Sequence, residues 1–315
     1  MPLVRIVKNW TSPDLRRQSP GNSGVWGDVR LTEDEVEDCD YAVVLNKPRE
    51  ETCVRCPRDH VWAIMQEPPI EKFAKLHRAD GKPYARVYTT DPGLTGPRYR
   101  PSHPALPCHV NRDYDFLSAC PVPAKGRSLS WITSNKTHFP GHRDRMEFLD
   151  RIRGHVDFDL FGRGFEFVAD KWDALAPYRY SIVVENFRGP LYWSEKIADC
   201  FLAWTFPIYC GCTRLGDYFP EESFLQFDLG DPHAADHIGR VVTSGLWEER
   251  INALAEARRR VLDEHQIFPF LAREIERHVR EGADSPSSRP RTTILSPKPR
   301  RLGIRLREMV RGLWR

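Results

Sequence analysis

The chain has 315 residues, 40% of them apolar, and a mean hydropathy of −0.54, the balance of a globular protein long enough for two cored domains. Lysine and arginine exceed aspartate and glutamate by three, which argues against a dedicated nucleic-acid binder. No apolar run reaches the eighteen or so residues of a membrane span, and MPLVRIVKNWTSPDLRR has no signal-peptide core, so the expected location is the cytoplasm, with the eight cysteines mostly as thiols.

In chain order, residues 4–7 form the first expected strand, followed by a Pro/Gly/Ser-rich loop to about residue 27 and a short acidic helix over 33–37. YAVVL (41–45) and VWAIM (61–65) are apolar runs separated by a polar, proline-containing loop, as in a parallel sheet covered on both faces. Glu67, Pro68 and Pro69 follow the second run directly, then a helix over 70–76 and a strand over 85–88. This alternation is that of a Rossmann-like half. Cys53-x-x-Cys56 with His60 is half of a zinc pattern, and no second Cys-x-x-Cys completes it, so the stretch reads as a plain loop. From 91 to 125 prolines and glycines accumulate, and the interdomain linker is expected there.

The pattern restarts with a strand over 129–133, ending in Ser134 and Asn135, and a helix from about His142 that carries Arg145, Phe148 and Ile152. A strand over 156–161 and a short helix over 170–175 lead to YRYSIVVENFRGPLYWSEKIADCFLAWTFPIYCG (178–211). There the run 181–184 delivers Glu185 and Asn186 at the carboxyl end of a buried strand. A loop with Gly189 and Pro190 follows, and Ser194 stands where an N-cap belongs. Ile197, Ala198, Phe201 and Leu202 recur at helical spacing, which puts Glu195 and Lys196 in the first turn; Pro207 is expected to end the helix. A helix start at the carboxyl side of a parallel sheet suits a phosphate, and Lys196 adds a full charge.

Residues 178–211 resemble the α1,3/α1,4-fucosyltransferases of glycosyltransferase family ten. That family's donor-site pattern runs strand, Glu-Asn, five residues, Tyr-x-x-Glu-Lys, then Ala-Phe-x-x-x-Thr-x-Pro-Ile-Tyr. Glu185-Asn186, Tyr192, Glu195-Lys196, Phe201, Thr205, Pro207, Ile208 and Tyr209 stand in register with it, and the likeness covers about 127–230. The departures are Ser194 for Thr, Trp204 for a small residue and Cys210 for Trp. The resemblance implies the α/β GT-B fold, two Rossmann-like domains facing a cleft, here placed at 1–125 and 126–280. It also implies an inverting transfer of fucose, or a related sugar, from GDP-fucose to a glycan hydroxyl, as in surface polysaccharide or lipopolysaccharide assembly, with no obligatory cofactor or metal. Arg145, Glu185, Asn186, Tyr192, Glu195 and Lys196 are the implied donor-binding residues, and Glu67 the candidate base. Family members in the animal secretory pathway carry a membrane anchor, so this chain looks more like the bacterial branch.

Two other readings stay open. Asp113-Tyr114-Asp115 matches the Asp-x-Asp of metal-dependent glycosyltransferases, a motif short enough to arise by chance, and reads as loop. Asp231, His233, Asp236 and His237 read as a polar helix start ahead of helical patterns over 246–261 and 268–279. After a linker-like 281–299, the stretch from Arg300 to Arg315 reads as a basic amphipathic helix, with Leu302, Leu306, Met309, Val310 and Leu313 on one face. It suits an anionic membrane surface, with Trp314 at headgroup level, or packing onto the body. On that tail alone, the protein would be a non-catalytic peripheral membrane or nucleic-acid binder.

Overall fold

The computed structural model describes residues 1–282 and 289–297, so the stretch from Arg300 to Arg315 lies outside the described residues. The chain divides into two units, one of Met1–Ser12, Asp28–Pro101 and the residues from Arg277, the other of Pro13–Gly27 and Ser102–Glu276.

The first unit holds β1 (Leu3–Val7), β3 (Val29–Thr32), β4 (Tyr41–Leu45), β5 (Thr52–Cys56), β6 (Val61–Ile64), α1 (Glu71–Arg78), β7 (Arg86–Thr89) and β8 (Tyr99–Pro101); the two-residue β2 (Val25–Trp26) precedes β3. Its parallel strands run β3-β1-β4-β6-β7-β8. Every residue of β4 and β6 is buried, as apolar runs without alternation require when both faces are covered. The acidic helix expected over 33–37 does not form. Asp34 N donates to the Thr32 hydroxyl, that hydroxyl donates to the Asp34 carboxylate, and the Glu37 carbonyl accepts from Arg55 N, so local and cross-strand partners outcompete the helix.

The second unit holds α2 (Tyr114–Ala119), β9 (Arg127–Ile132), α3 (Pro140–Ile152), β10 (Asp159–Phe161), β11 (Tyr178–Val184), α4 (Glu195–Leu202), β12 (Phe206–Cys210), β13 (Leu225–Gln226), α5 (Ala234–Val242), α6 (Leu246–Glu249) and α7 (Ile251–Arg260). A further helix, α8, spans Ile267–Arg280. The sheet order is β10-β9-β11-β12-β13, all parallel. The linker expected at 91–125 is not one. Ala105, Cys108, Val110 and Leu117 are buried, the last three in the core that also holds Trp131 and Phe201, and the unit boundary falls after Pro101 instead of residue 125. Proline content there signals irregular backbone, and the apolar residues between the prolines still demand burial.

Pro207 does not end α4. The helix stops at Leu202 and Trp204 takes the left-handed conformation (φ 58°) that closes it, while Pro207 lies within β12 at a point where only β11 pairs with it. The expected linker at 281–299 contains β14 (Arg291–Leu295), whose β-branched RTTIL pairs antiparallel with β5. On β5, Cys53 is exposed and Cys56 buried, because residues three apart on a strand face opposite sides, so the two do not converge on one ion.

Gly141 brings the start of α3 against the loop after β11: a Cβ there would lie 2.2 Å from the Asn186 carbonyl oxygen. Gly141→Ala should therefore lower stability by about 1–3 kcal/mol through overpacking, read as a reduced denaturant midpoint at unchanged slope.

Candidate functional site

From β9 the chain moves outward to β10, and from β11 it moves outward to β12 on the other side, so β9 and β11 are neighbours whose connections diverge. A crevice opens at the carboxyl ends of such a pair, where no connection crosses. The second unit has a cavity of about 260 Å³ there, lined by Thr133 and Ser134 after β9, Asn186 after β11, Arg145 from α3, and Glu195 and Lys196 from α4.

Glu185 is the residue around which this corner is built. Its side chain has no solvent exposure and accepts from Ser194 N at 2.8 Å, from the Ser194 hydroxyl at 2.7 Å and from Lys196 Nζ at 2.9 Å. Ser194 is also the N-cap of α4, accepting from Lys196 N at 3.3 Å. One hydroxyl thus joins the buried carboxylate to the helix start, and serine in place of the family's threonine keeps this function. Burial pulls the Lys196 ammonium down, but the Glu185 and Glu195 carboxylates outweigh it and hold the group above its ordinary value.

Arg145 is buried (3% exposed) and donates to Asn186 Oδ1 at 2.7 Å and to the Ser134 carbonyl at 3.0 Å; its Nε has no partner among the described residues. Burial draws the guanidinium down from its usual value and the Glu185 carboxylate opposes that, so a charged arginine sits on the wall of the cavity. Beside it, His142 is pushed down to about 4 by burial, then by the Arg145 and Lys136 charges, and is neutral near pH 7. Glu195 is shaped by opposing causes. Burial pushes its carboxyl up, and the Lys196 and Lys171 ammoniums together hold it below the usual carboxylate range.

Of the residues expected from sequence, Arg145, Asn186, Glu195 and Lys196 converge on this cavity. Glu185 lies behind them and lines a neighbouring groove with Gly141 and Asp228, while Tyr192 is 5% exposed and packs edge-on to Phe187 at 6.1 Å; neither is among the residues lining the cavity. Glu67 belongs to the other unit. It is half-buried after β6, with its N–H on Asn46 Oδ1 at 3.3 Å and its carbonyl accepting from His77 at 3.0 Å, so its backbone is pinned. Lys136, His142, Lys171 and Asp199 also line the cavity and were not expected. No spacing signal marks Lys171 or Lys136; Asp199 stands one turn after Glu195 and was readable as part of the α4 face.

Asp113 and Asp115 do structural work. Asp113 caps α2 by accepting from Phe116 N at 2.8 Å, and Asp115 accepts from Gly21 N at 2.9 Å. The pair therefore opens a helix, in place of the expected loop. Asp231, His233, Asp236 and His237 surround the start of α5, with His237 Nδ1 3.0 Å from Asp231.

Residues 122–236 match the family model described as Glycosyltransferase family 10 (fucosyltransferase) C-term. The likeness to glycosyltransferase family 10 is carried by this segment. A rat protein, Alpha-(1,3)-fucosyltransferase 4, is 25% identical over 236 residues, 68% of this chain and 51% of its own length. Alpha-(1,3)-fucosyltransferase FucT of Helicobacter pylori is 29% identical over 135 residues, 40% of this chain and 25% of its own. The chain thus spans about half or less of the curated relatives it matches. A solved α1,3-fucosyltransferase with GDP-fucose aligns over 85% of this chain and 92% of that one, at 16% identity and a TM-score of 0.47. The family segment begins before β9 and ends in α5, so it contains every residue of the cavity. Of the two other departures from the family pattern, Trp204 closes the far end of α4, with its ring 5.0 Å from the Arg258 guanidinium, and Cys210 lines the neighbouring groove; neither touches the cavity.

Removing the Glu185 carboxylate takes the nearest counter-charge from Lys196, and removing the Ser194 hydroxyl takes the helix cap and one donor from Glu185. Chemical denaturation should show Glu185→Ala losing about 3–5 kcal/mol, as for one member of a buried ion pair, and Ser194→Ala about 1–3 kcal/mol.

Proposed function

We propose that the protein is an inverting glycosyltransferase that moves fucose, or a closely related sugar, from GDP-fucose to a hydroxyl of a glycan, in the assembly of a surface polysaccharide or lipopolysaccharide. The observation that carries this reading is the convergence of Arg145, Lys196 and the amino end of α4 on one cavity at the strand crossover of a family 10 segment. Displacing a nucleoside diphosphate from an anomeric carbon requires that the leaving charge be neutralised where it develops. Two cations and a helix start facing one cavity supply that without calling on a metal ion.

In the proposed reaction the acceptor oxygen forms its bond to the anomeric carbon as the bond to the diphosphate oxygen breaks, and GDP leaves with the electron pair. A carboxylate takes the acceptor proton, and Glu67 is assigned that role. Attack from the face opposite the leaving group turns a β-linked donor into an α-fucoside. Asn186 and Glu195 are assigned to the donor's sugar and ribose, and Glu185 and Tyr192 support them from behind.

Calorimetric titration with GDP, UDP and CDP, with and without chelator, tests the reading: GDP should bind tightest, unaffected by chelator. Lys196→Met should weaken GDP by about 1.5–3 kcal/mol, the value of a charge-assisted hydrogen bond. Since Lys196 also pairs with Glu185, stability must be measured on the same sample. Glu67→Gln should leave GDP affinity in place and lower turnover on the order of 10²–10⁴-fold, the share of a positioned general base. Equal binding of all three nucleotides would remove the donor assignment.

The tail is proposed as an anionic-membrane contact. Because β14 pairs with β5, a fair truncation keeps the chain through Pro297; that variant should lose binding to anionic vesicles and keep transfer to a soluble acceptor. Vesicle binding equal to that of the full chain would assign the contact elsewhere.

A further inference from the structure

Lys171 comes from outside the motif that defines the donor site. It opens the 3₁₀ turn Lys171–Ala174, after the Asp170 cap, and its side chain lines the cavity. Its Nζ lies 3.0 Å from Asp199 Oδ2 and 3.6 Å from Glu195 Oε1. Glu195 and Asp199 are one turn apart on α4, so their carboxylates share a face and repel. Asp199 has little freedom to move away: its side chain is 1% exposed, and its other oxygen accepts from His109 N at 2.8 Å and Val110 N at 3.3 Å. Lys171 is thus the ammonium between two carboxylates, one fully engaged by the fold and one facing the cavity.

We propose that Lys171 is a positioning residue of the nucleotide site, which together with Lys196 holds Glu195 through Oε1 and fixes its carboxylate as an acceptor for a donor group of the bound nucleotide. This rests on the donor-site reading above. The groups facing Glu195 are Lys196 and Asp199 on its own helix, Lys171 from the 3₁₀ turn and His109 from the segment before α2. Two ammoniums outweigh burial at Glu195, and two carboxylates outweigh it at Lys171, which is held above its ordinary value. Without Lys171, burial and Asp199 act on Glu195 with only Lys196 and His109 against them, and its carboxyl moves up.

The test compares the full chain with Lys171→Gln, which keeps a hydrogen-bond donor for Asp199 without the charge, and with Lys171→Arg, which keeps the charge. The first readout is stability without ligand as a function of pH. In the parent, Glu195 is depressed, so its contribution is present above the unfolded carboxyl value of about 4.3 and is lost as pH falls below it. The gap between parent and Lys171→Gln should accordingly be widest near neutrality and narrow as the pH falls below the variant's raised carboxyl value. The second readout is GDP affinity from pH 7 to pH 5. Lys171→Gln should lose affinity relative to the parent as the pH falls, approaching tenfold per unit below the raised carboxyl value, while Lys171→Arg follows the parent. A pH-independent stability gap, a GDP profile for Lys171→Gln that parallels the parent, or an arginine variant as impaired as the glutamine one would each overturn the proposal. If the parent itself binds no GDP, the donor reading fails by that result, and the stability profile alone decides whether Lys171 holds Glu195.

Discussion

A carboxylate with no solvent exposure at the end of a parallel strand must find its partners inside the protein, and Glu185 finds them in the first residues of the next helix. Leaving such a charge unpaired costs several kcal/mol, so the end of β11 and the start of α4 form together. The loop between them carries Asn186, whose side chain in turn accepts from Arg145 on α3, while Gly141 lets that helix approach the Asn186 backbone. Strand, loop and both helices are thereby locked by one chain of polar contacts that starts at Glu185.

The lock also organises the field of the cavity. Arg145 and Lys196 are charged on its wall, and His142 on the same wall stays neutral near pH 7 because burial and the Arg145 charge both disfavour its proton. On the α4 face, Glu195 and Asp199 alternate with Lys171 and Lys196, so each buried charge has an opposite neighbour. Such an arrangement needs little reorientation when an anion enters, which is what preorganised stabilisation of a leaving diphosphate requires.

Elements whose residues are uniformly apolar were legible in advance. YAVVL, VWAI and SIVV are strands because burial on both faces leaves no room for polar residues, and Ser194 caps α4 because its hydroxyl matches the free N–H groups of the first turn. Prolines and glycines are a poorer guide. Residues 91–125 and 281–299 have linker composition, yet Val110 and Leu117 fill a core and Ile294 and Leu295 pair with β5. Composition reports backbone irregularity, whereas packing is decided by the few apolar side chains that irregular segments carry.

Sequence by itself determined the likeness to family 10, the α/β class and three residues that meet at the cavity, Asn186, Glu195 and Lys196, because a contiguous strand-loop-helix motif keeps its residues close whatever the rest of the chain does. Tertiary structure alone decided the remainder. Lys171 and Arg145 come from segments separated from α4 by other strands, and their approach follows from the order β10-β9-β11-β12, which no local pattern encodes. It also decided which motif carboxylate is free to act. Glu185 and Glu195 are alike as letters, yet one is sealed behind Ser194 and Lys196 and the other lines the cavity, since the depth of a side chain is a property of the packed fold.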